Sequence, residues 1–132
     1  MRDFGISAQD FAATPLTPAC HHYTSFLLAN SWSESYPVAL AGLLPCFWIY
    51  AEVGRDIHTR SQPGNRYQAW VDTYASEEFH AAVRAVIATI DRVAEAADSA
   101  TRTRMAEAYR YSAELEWMFW DSAYQLGSWP TR

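Results

Sequence analysis

Apolar residues in this sequence recur at spacings of three and four within blocks that Pro, Gly and Ser separate. Such spacing puts apolar side chains on one face of an α-helix, because successive helical residues turn by about 100°. No block alternates strictly between apolar and polar residues, and no internal repeat or low-complexity tract interrupts the chain. The pattern predicts an all-α domain.

Capping residues set the expected helix bounds. Thr17 followed by Pro18 is typical of a helix start, since Thr accepts a bond from a free amide and Pro tolerates the first turn. Ser76 precedes Glu77 and Glu78, whose charges favour the positive end of a helix. The predicted elements are a single turn over about 7–11, helices over about 17–31, 35–58 and 67–74, a loop over 61–65, a helix capped at Ser76, and a last helix capped near Ser99 and stopped by Gly127.

The helix predicted over about 35–58 contains a proline. Pro45 has no amide hydrogen, so the carbonyl of Ala41 loses its donor and the helix should kink immediately before Cys46. The expected inward stripe of this helix comprises Ala39, Leu43, Cys46, Tyr50, Val53 and Ile57, and that of the first long helix comprises Tyr23, Phe26, Leu27 and Asn30.

The last two helices have apolar stripes of their own. After Ser76 the stripe is Phe79, Val83, Val86, Ile90 and Val93, and His80 should point away from it; the last helix carries Met105, Tyr109, Ser112, Glu116, Phe119 and Ala123 along one line. Glu116 is therefore expected to point inward and Glu114 outward. A buried carboxylate needs a hydrogen-bond partner, a ligand or a chemical role, and a structural Glu bonded to a tyrosine or a main-chain amide is the alternative.

Cys46 and Tyr50 are four residues apart, which stacks them on one helix face and brings a phenol within reach of the sulfur. The phenol could change the reactivity of the thiol, although a buried cysteine is often only a small apolar residue. We expect both Cys20 and Cys46 to be free thiols, because a cytosolic protein keeps its thiols reduced.

Length, composition and net charge limit the classes of function that we expect for this chain. The 132 residues fit one domain, 1–132, and the 50% apolar and 15% aromatic content suits a packed core with a pocket for a flat ligand. The net charge of -5, without a run of Lys or Arg, argues against a nucleic-acid partner. No signal pattern and no apolar stretch near the ~20 residues of a membrane span is evident, so we expect no membrane association and a cytoplasmic protein.

Four segments resemble motifs of the TenA/thiaminase II family. Residues 44–50, LPCFWIY, resemble its PCxWxY motif, and residues 115–121, LEWMFWD, resemble its xExxFWD motif; residues 67–75, YQAWVDTYA, and residues 23–28, YTSFLL, resemble YxxWIxxYA and YxxxLL. The resemblance covers nearly the whole chain. It implies a helical bundle of the TenA/haem-oxygenase-like type.

The resemblance also implies roles for individual residues. Cys46 corresponds to the family's nucleophile, Glu116 to its acid/base carboxylate and Tyr50 to the tyrosine that contacts the cysteine. The implied aromatic pocket walls are Tyr23, Tyr74 and Phe119. The implied reaction is hydrolysis of 4-amino-5-aminomethyl-2-methylpyrimidine to its hydroxymethyl product, or cleavage of thiamin between its two rings, without a metal or an organic cofactor.

The sequence begins at a position that resembles the middle of the family domain. The N-terminal helices of full-length members are then missing, including an aspartate that grips the aminopyrimidine, and neither Asp3 nor Asp10 lies in a matching motif. A partner chain could supply the helices, a second copy could complete the fold, or the chain could be a relic deficient in binding. We favour a partner chain, because exposed apolar stripes drive association.

Two other classes of function stay open. Glu77 and His80 have the Glu-x-x-His spacing of di-metal carboxylate bundles, but the sequence has no second such pair. A non-catalytic subunit that binds a flat ligand or has a structural role is the main alternative. We expect five of the six tryptophans to pack in the core: Trp32, Trp48, Trp70, Trp117 and Trp120.

Overall fold

The computed structural model describes residues 4–62 and 64–131, and within them every regular element is a helix. This confirms the all-α prediction. Asp3 lies outside the described residues. The helices are α1 Ala8–Ala13, α2 Pro18–Ser33, α3 Tyr36–Leu43, α4 Pro45–Arg60, α5 Gln68–Ala75, α6 Glu77–Ala96 and α7 Ser99–Tyr124.

The predicted helix starts are largely confirmed by side-chain caps. The Cys20 amide donates to Thr17 Oγ1 over 3.2 Å at the start of α2, and the Phe79 amide donates to Ser76 Oγ over 3.2 Å at the start of α6. α7 begins at Ser99, near the predicted bound, and its cap is Asp98, which accepts from the Thr101 amide at 2.7 Å. The negative charge of this carboxylate also interacts favourably with the helix dipole.

The helix predicted over 35–58 consists of two helices, α3 and α4, that meet at Leu44. The break lies at Leu44, immediately before Pro45 and one residue earlier than the kink predicted immediately before Cys46, because Pro45 occupies the first position of α4, where its missing amide hydrogen is tolerated. Leu44 keeps helical backbone angles, φ -57° and ψ -39°, and its amide donates to the Ala41 carbonyl at 3.3 Å. Ala41 thus loses its usual donor four residues later, as expected, and the tightened last turn supplies the Leu44 amide in its place.

The closely packed core lies where α3, α6 and α7 meet. Its buried residues are Val38, Ala41, Leu44, Ile90, Met105 and Ala108. α7 has 26 residues, about 40 Å of helix, and it contacts α2, α3, α4 and α6 along this length. The N-terminal half of α7 thus belongs to the core, and α7 also contacts α4.

The inward stripe predicted for α3 and α4 was wrong at two positions. Leu43 and Val53 are 37% and 43% exposed, whereas Val38 and Ala41 are buried. Small residues let the neighbouring helices approach closely. At Gly42 an added Cβ would lie 2.3 Å from Asn30 Nδ2, so a larger residue there would force the Asn30 side chain to move.

The end of α7 differs from the prediction that Gly127 stops the helix. The helix ends at Tyr124, and Leu126 adopts the left-handed conformation with φ 54°. The Gly127 amide then donates to the Ser122 carbonyl at 2.7 Å. This bond satisfies a terminal carbonyl in the manner of a Schellman motif.

One finding corrects the expectation about membrane-length segments. Tyr36–Arg60, which comprises α3, Leu44 and α4, is long and apolar enough to cross a membrane by length and composition. Length and composition are weak criteria, because core helices meet them too. α3 packs against α2, α6 and α7, as a core helix does.

Candidate functional site

The hydroxyl of Tyr23 joins side chains from three helices. It lies 2.9 Å from Cys46 Sγ on α4, and Ser112 Oγ on α7 donates to it at 3.3 Å. Tyr23 itself is buried on α2, and Ser112 is completely buried. Both Cys20 and Cys46 are free thiols, as expected. The bundle thus brings a nucleophilic atom, a phenol and a buried hydroxyl into one chain of hydrogen bonds.

Glu116 lies one helical turn after Ser112 and is only 2% exposed. Its Oε1 is buried and has no hydrogen-bond partner among the described residues. Glu114, in contrast, faces solvent and accepts from Arg110 Nη1 at 2.5 Å. The predicted orientations of the two acids are confirmed. An unpartnered buried carboxylate oxygen is costly, so this atom calls for a partner such as water, an ion or a ligand.

Burial governs the titration of the groups around Glu116. It raises the pKa of the Cys46 thiol, the Tyr23 bond opposes this effect, and the nearby carboxylate of Glu116 adds to it. Burial also raises the pKa of Tyr23 and of Tyr50, and Glu116 raises both further. At neutral pH both phenols are therefore protonated and can donate hydrogen bonds, and Cys46 is predominantly a thiol.

A cleft of about 450 Å³ opens beside Glu116 and Tyr50. Its wall is otherwise apolar and comprises Ile49, Val53, Ile57, Trp70, Ala113, Trp117 and Trp120. A second cleft of about 740 Å³ shares Ile57, Trp70 and Trp120 with it and reaches the loop between α4 and α5. The first cleft has the character of a site for a flat, largely apolar ligand oriented by few polar groups.

The predicted site residues fall into different places around this cleft. Tyr50 lines it together with Glu116, while the hydroxyl on the sulfur belongs to Tyr23, which was expected in a pocket wall. Neither Cys46 nor Tyr23 lines this cleft. Tyr74 and Phe119 are not among its lining residues either. Each packs against a residue that is: the Tyr74 ring centroid lies 4.7 Å from that of Trp70, and the Phe119 centroid lies 5.5 Å from that of Trp120.

Gly54 fixes the position of Tyr74 behind the cleft. A Cβ added to Gly54 would lie 2.6 Å from Tyr74 Cβ and 2.9 Å from its carbonyl carbon, closer than real side chains approach. The missing side chain lets α4 and α5 touch. Tyr74 is thereby held with its ring centroid 5.0 Å from that of Tyr50.

The assignment of the tryptophans to the core was wrong for several of them. Trp32 is 88% exposed, Trp117 67% and Trp120 45%. Trp117 and Trp120 lie on the face of α7 that borders the cleft rather than on the face that packs against α3. Aromatic content alone does not distinguish a core from a rim, because tryptophan suits both.

His80 is the buried group that the sequence pattern missed. It is 7% exposed, its Nδ1 accepts from Arg55 Nη2 at 3.0 Å, and its Nε2 has no partner among the described residues. The prediction that His80 points away from the core was wrong, because α4 and α5 cover that side of α6 as well. Its partner lies 25 residues earlier on another helix, so no local signal marks the pair.

The Glu-x-x-His pair does not assemble a wider cluster. Glu77 is exposed and is paired with Arg84. Across the described residues, no three His, Cys, Asp or Glu side chains are grouped closely enough to hold a metal ion. Asp10, for which we had assigned no role, forms a capping box with Ser7 at the start of α1.

Known proteins resemble this chain over most of its length. The aminopyrimidine aminohydrolase of Bacillus subtilis is 34% identical over 125 residues, which are 94% of this chain and 52% of that protein. The thiamine biosynthesis multifunctional protein ThiED of Corynebacterium glutamicum is 36% identical over 105 residues, 80% of this chain and 14% of that protein. The chain therefore spans about half the length of the aminohydrolase.

The fold comparison agrees. A TenA homologue from P. horikoshii OT3 superposes with a TM-score of 0.84 at 26% identity, covering 96% of this chain and 58% of that one. The family model described as TENA/THI-4/PQQC matches residues 1–126. The helical bundle, the matched motifs and this match together show that the chain belongs to the TENA/THI-4/PQQC family.

Proposed function

We propose that this chain carries the nucleophile and the acid/base group of a hydrolase acting on aminopyrimidines of thiamin metabolism. The substrate is 4-amino-5-aminomethyl-2-methylpyrimidine, in which hydroxyl replaces the amine of the aminomethyl group, or thiamin, which is cleaved between its rings. Support comes from the name of the Bacillus subtilis relative and from one structural observation. That observation is the buried Glu116, which lines an apolar cleft, has no partner for its Oε1 among the described residues, and acts electrostatically on the Cys46 thiol.

The chemistry requires a nucleophile and a proton donor on the same small molecule. In the proposed mechanism Cys46, as a thiolate, adds to an electron-poor pyrimidine carbon while Glu116 protonates the ring or the leaving group. Ammonia, or the thiazole of thiamin, leaves from the methylene. Water then adds to the methylene, its proton returns to the carboxylate, and the bond to sulfur breaks to restore Cys46.

The residues near the cleft suit these steps. Tyr50 lines the cleft beside Glu116 and, as a protonated phenol, donates a hydrogen bond to a ring nitrogen or to the carboxylate. The indole of Trp120 provides a face for a flat ring, and such aromatic contacts contribute about 0.5 to 1.5 kcal/mol each beyond buried area. Tyr74 and Phe119 do not contact the substrate in this proposal; they support Trp70 and Trp120, which line the cleft.

The test is turnover by the wild type and by Cys46→Ala. Each protein is incubated with the aminomethylpyrimidine or with thiamin, and products are separated by chromatography. We expect product from the wild type and none above background from Cys46→Ala. Cys20→Ala is the matched control, because it removes the other thiol without touching the cluster. Equal turnover by the wild type and Cys46→Ala would exclude Cys46 as the nucleophile.

A non-catalytic ligand-binding subunit is the second candidate. The raised pKa of Cys46 favours it, since little thiolate is present at neutral pH in the free protein. Isothermal titration with the aminopyrimidine distinguishes the two. Binding of equal affinity by the wild type and Cys46→Ala, with no product from either, supports this candidate and contradicts the hydrolase.

A second part of the proposal concerns the exposed rim of the cleft. Trp117 and Trp120 present apolar surface beside Glu116, and such surface is stabilised when another polypeptide covers it. We propose that a partner chain with the further helices of the full-length relatives covers this rim, in the cytoplasm, where thiols stay reduced. Light scattering with size-exclusion chromatography tests it: a stable monomer with full activity would contradict the partner.

A further inference from the structure

Ser112 is the buried polar residue of the cluster that the proposed mechanism leaves without a role. It is 0% exposed, and its hydroxyl donates to the Tyr23 oxygen at 3.3 Å. A serine in the middle of a helix commonly donates to a carbonyl of its own preceding turn. Here the donor reaches a side chain on another helix, 89 residues away in sequence.

The direction of this bond determines what Tyr23 can do. A phenol has one hydrogen and two acceptor positions, so a hydroxyl that accepts from Ser112 keeps its own hydrogen for a different neighbour. Cys46 Sγ lies 2.9 Å from that oxygen. A thiolate has no hydrogen to donate, so this contact persists after deprotonation only if Tyr23 is the donor.

Ser112 also strengthens the donation. A hydroxyl that accepts a hydrogen bond becomes a better donor, because the bonds in a chain polarise one another. The competing acceptor for the Tyr23 hydrogen is the carboxylate of Glu116 on α7. Tyr23 from α2 and Glu116 from α7 are also the titratable groups of other helices that act on Cys46, with opposite signs.

We propose that Ser112 is a positioning residue that, through Tyr23, holds a hydrogen-bond donor on Cys46 Sγ and so favours the thiolate. This inference rests on the proposed function only in taking Cys46 as the nucleophile. Ser112 touches neither the sulfur nor, in the proposed mechanism, the substrate. Its effect is on the pH at which the nucleophile forms.

The experiment measures the thiolate directly. The full chain is alkylated with iodoacetamide across a pH series, quenched and digested, and the labelled Cys46 and Cys20 peptides are quantified by mass spectrometry. We expect Ser112→Ala to move the Cys46 midpoint to higher pH and to slow alkylation about two- to tenfold at a fixed pH below it, the size of one lost hydrogen bond. The Cys20 profile, read in the same molecules, should not move.

Two further variants separate positioning from a general structural effect. Ser122→Ala removes another partly buried hydroxyl from α7, one bonded to the Phe119 carbonyl, and should leave the Cys46 midpoint unchanged. Tyr23→Phe removes the donor itself and should raise the midpoint at least as far as Ser112→Ala does. Adding Ser112→Ala to Tyr23→Phe should then have little further effect.

The proposal fails if Ser112→Ala leaves the Cys46 profile unchanged while Tyr23→Phe moves it. It also fails if Ser112→Ala has its full effect in the Tyr23→Phe background, since the serine would then act by another route. Alanine has the highest helix propensity, so the variant is expected to fold, and thermal unfolding checks this. Alkylation needs no substrate, so absence of turnover would contradict the proposed function alone.

Discussion

The two halves of α7 serve different purposes. The first half buries Met105 and Ala108 in an apolar core, where close packing with α3 and α6 is the only requirement. The second half buries Ser112 and Glu116, two polar residues, and exposes Trp117 and Trp120. The first half of α7 thus stabilises the fold. The second half buries polar groups and exposes aromatic surface, both of which lower stability, and functional sites commonly have such features.

The variant with the largest expected effect is Glu116→Gln, which tests whether the second half of α7 has a chemical role. The shape is kept and the acid is removed, so we expect turnover to fall about 10²- to 10⁴-fold, the usual contribution of general acid–base catalysis. The melting temperature should stay the same or rise, since a buried carboxylate loses its charge. Glu114→Gln, on the exposed side of the same helix, is the matched control and should retain turnover. A structural Glu116 would instead show a large loss of stability with little change in kcat.

Met105→Ala tests the other half of the helix. Met105 is 5% exposed, and truncating a buried Met leaves a cavity that lowers the free energy of unfolding by about 2–5 kcal/mol. Urea denaturation measures this loss. Turnover per folded molecule should change little, because the cavity lies away from Glu116. A large fall in kcat at temperatures where the variant is fully folded would show that the two halves are coupled.

The smallest expected effect is on stability at alkaline pH. Burial and Glu116 raise the pKa of Tyr50 above its ordinary value of about 10, so its contribution to stability is complete below pH 10 and is lost as the pH rises further. Tyr50→Phe should therefore make unfolding less dependent on pH between about 10 and 11. Tyr124→Phe, at an 85% exposed position, should behave like the wild type. Equal slopes for the wild type and Tyr50→Phe would contradict the buried phenol.

Local features of the fold were predictable from the sequence. The caps at Thr17 and Ser76, a helix break next to Pro45 and the inward orientation of Glu116 follow from interactions within one or two helical turns. Hydrophobic patterning failed on α3, where Leu43 is exposed and Gly42 is buried, because close helix contacts favour small residues over large apolar ones.

The candidate site was less predictable because its contacts are long-range. Motifs led to Cys46 and Glu116, but the hydroxyl on the sulfur comes from Tyr23, 23 residues earlier on α2, not from Tyr50 in the next turn. Arg55 and His80 pair between α4 and α6 in the same way. The sequence shows neither which helices become neighbours nor which tryptophans remain exposed at the cleft.

The burial of Cys46 has a consequence for the chemical durability of the protein. Peroxide attacks the thiolate of cysteine rather than the thiol, so a group whose pKa is raised resists conversion to sulfenic acid at neutral pH. The protonated thiol of Cys46 is thereby spared oxidative damage. The burial that makes the Cys46 thiol a poor nucleophile at neutral pH also protects it from oxidation.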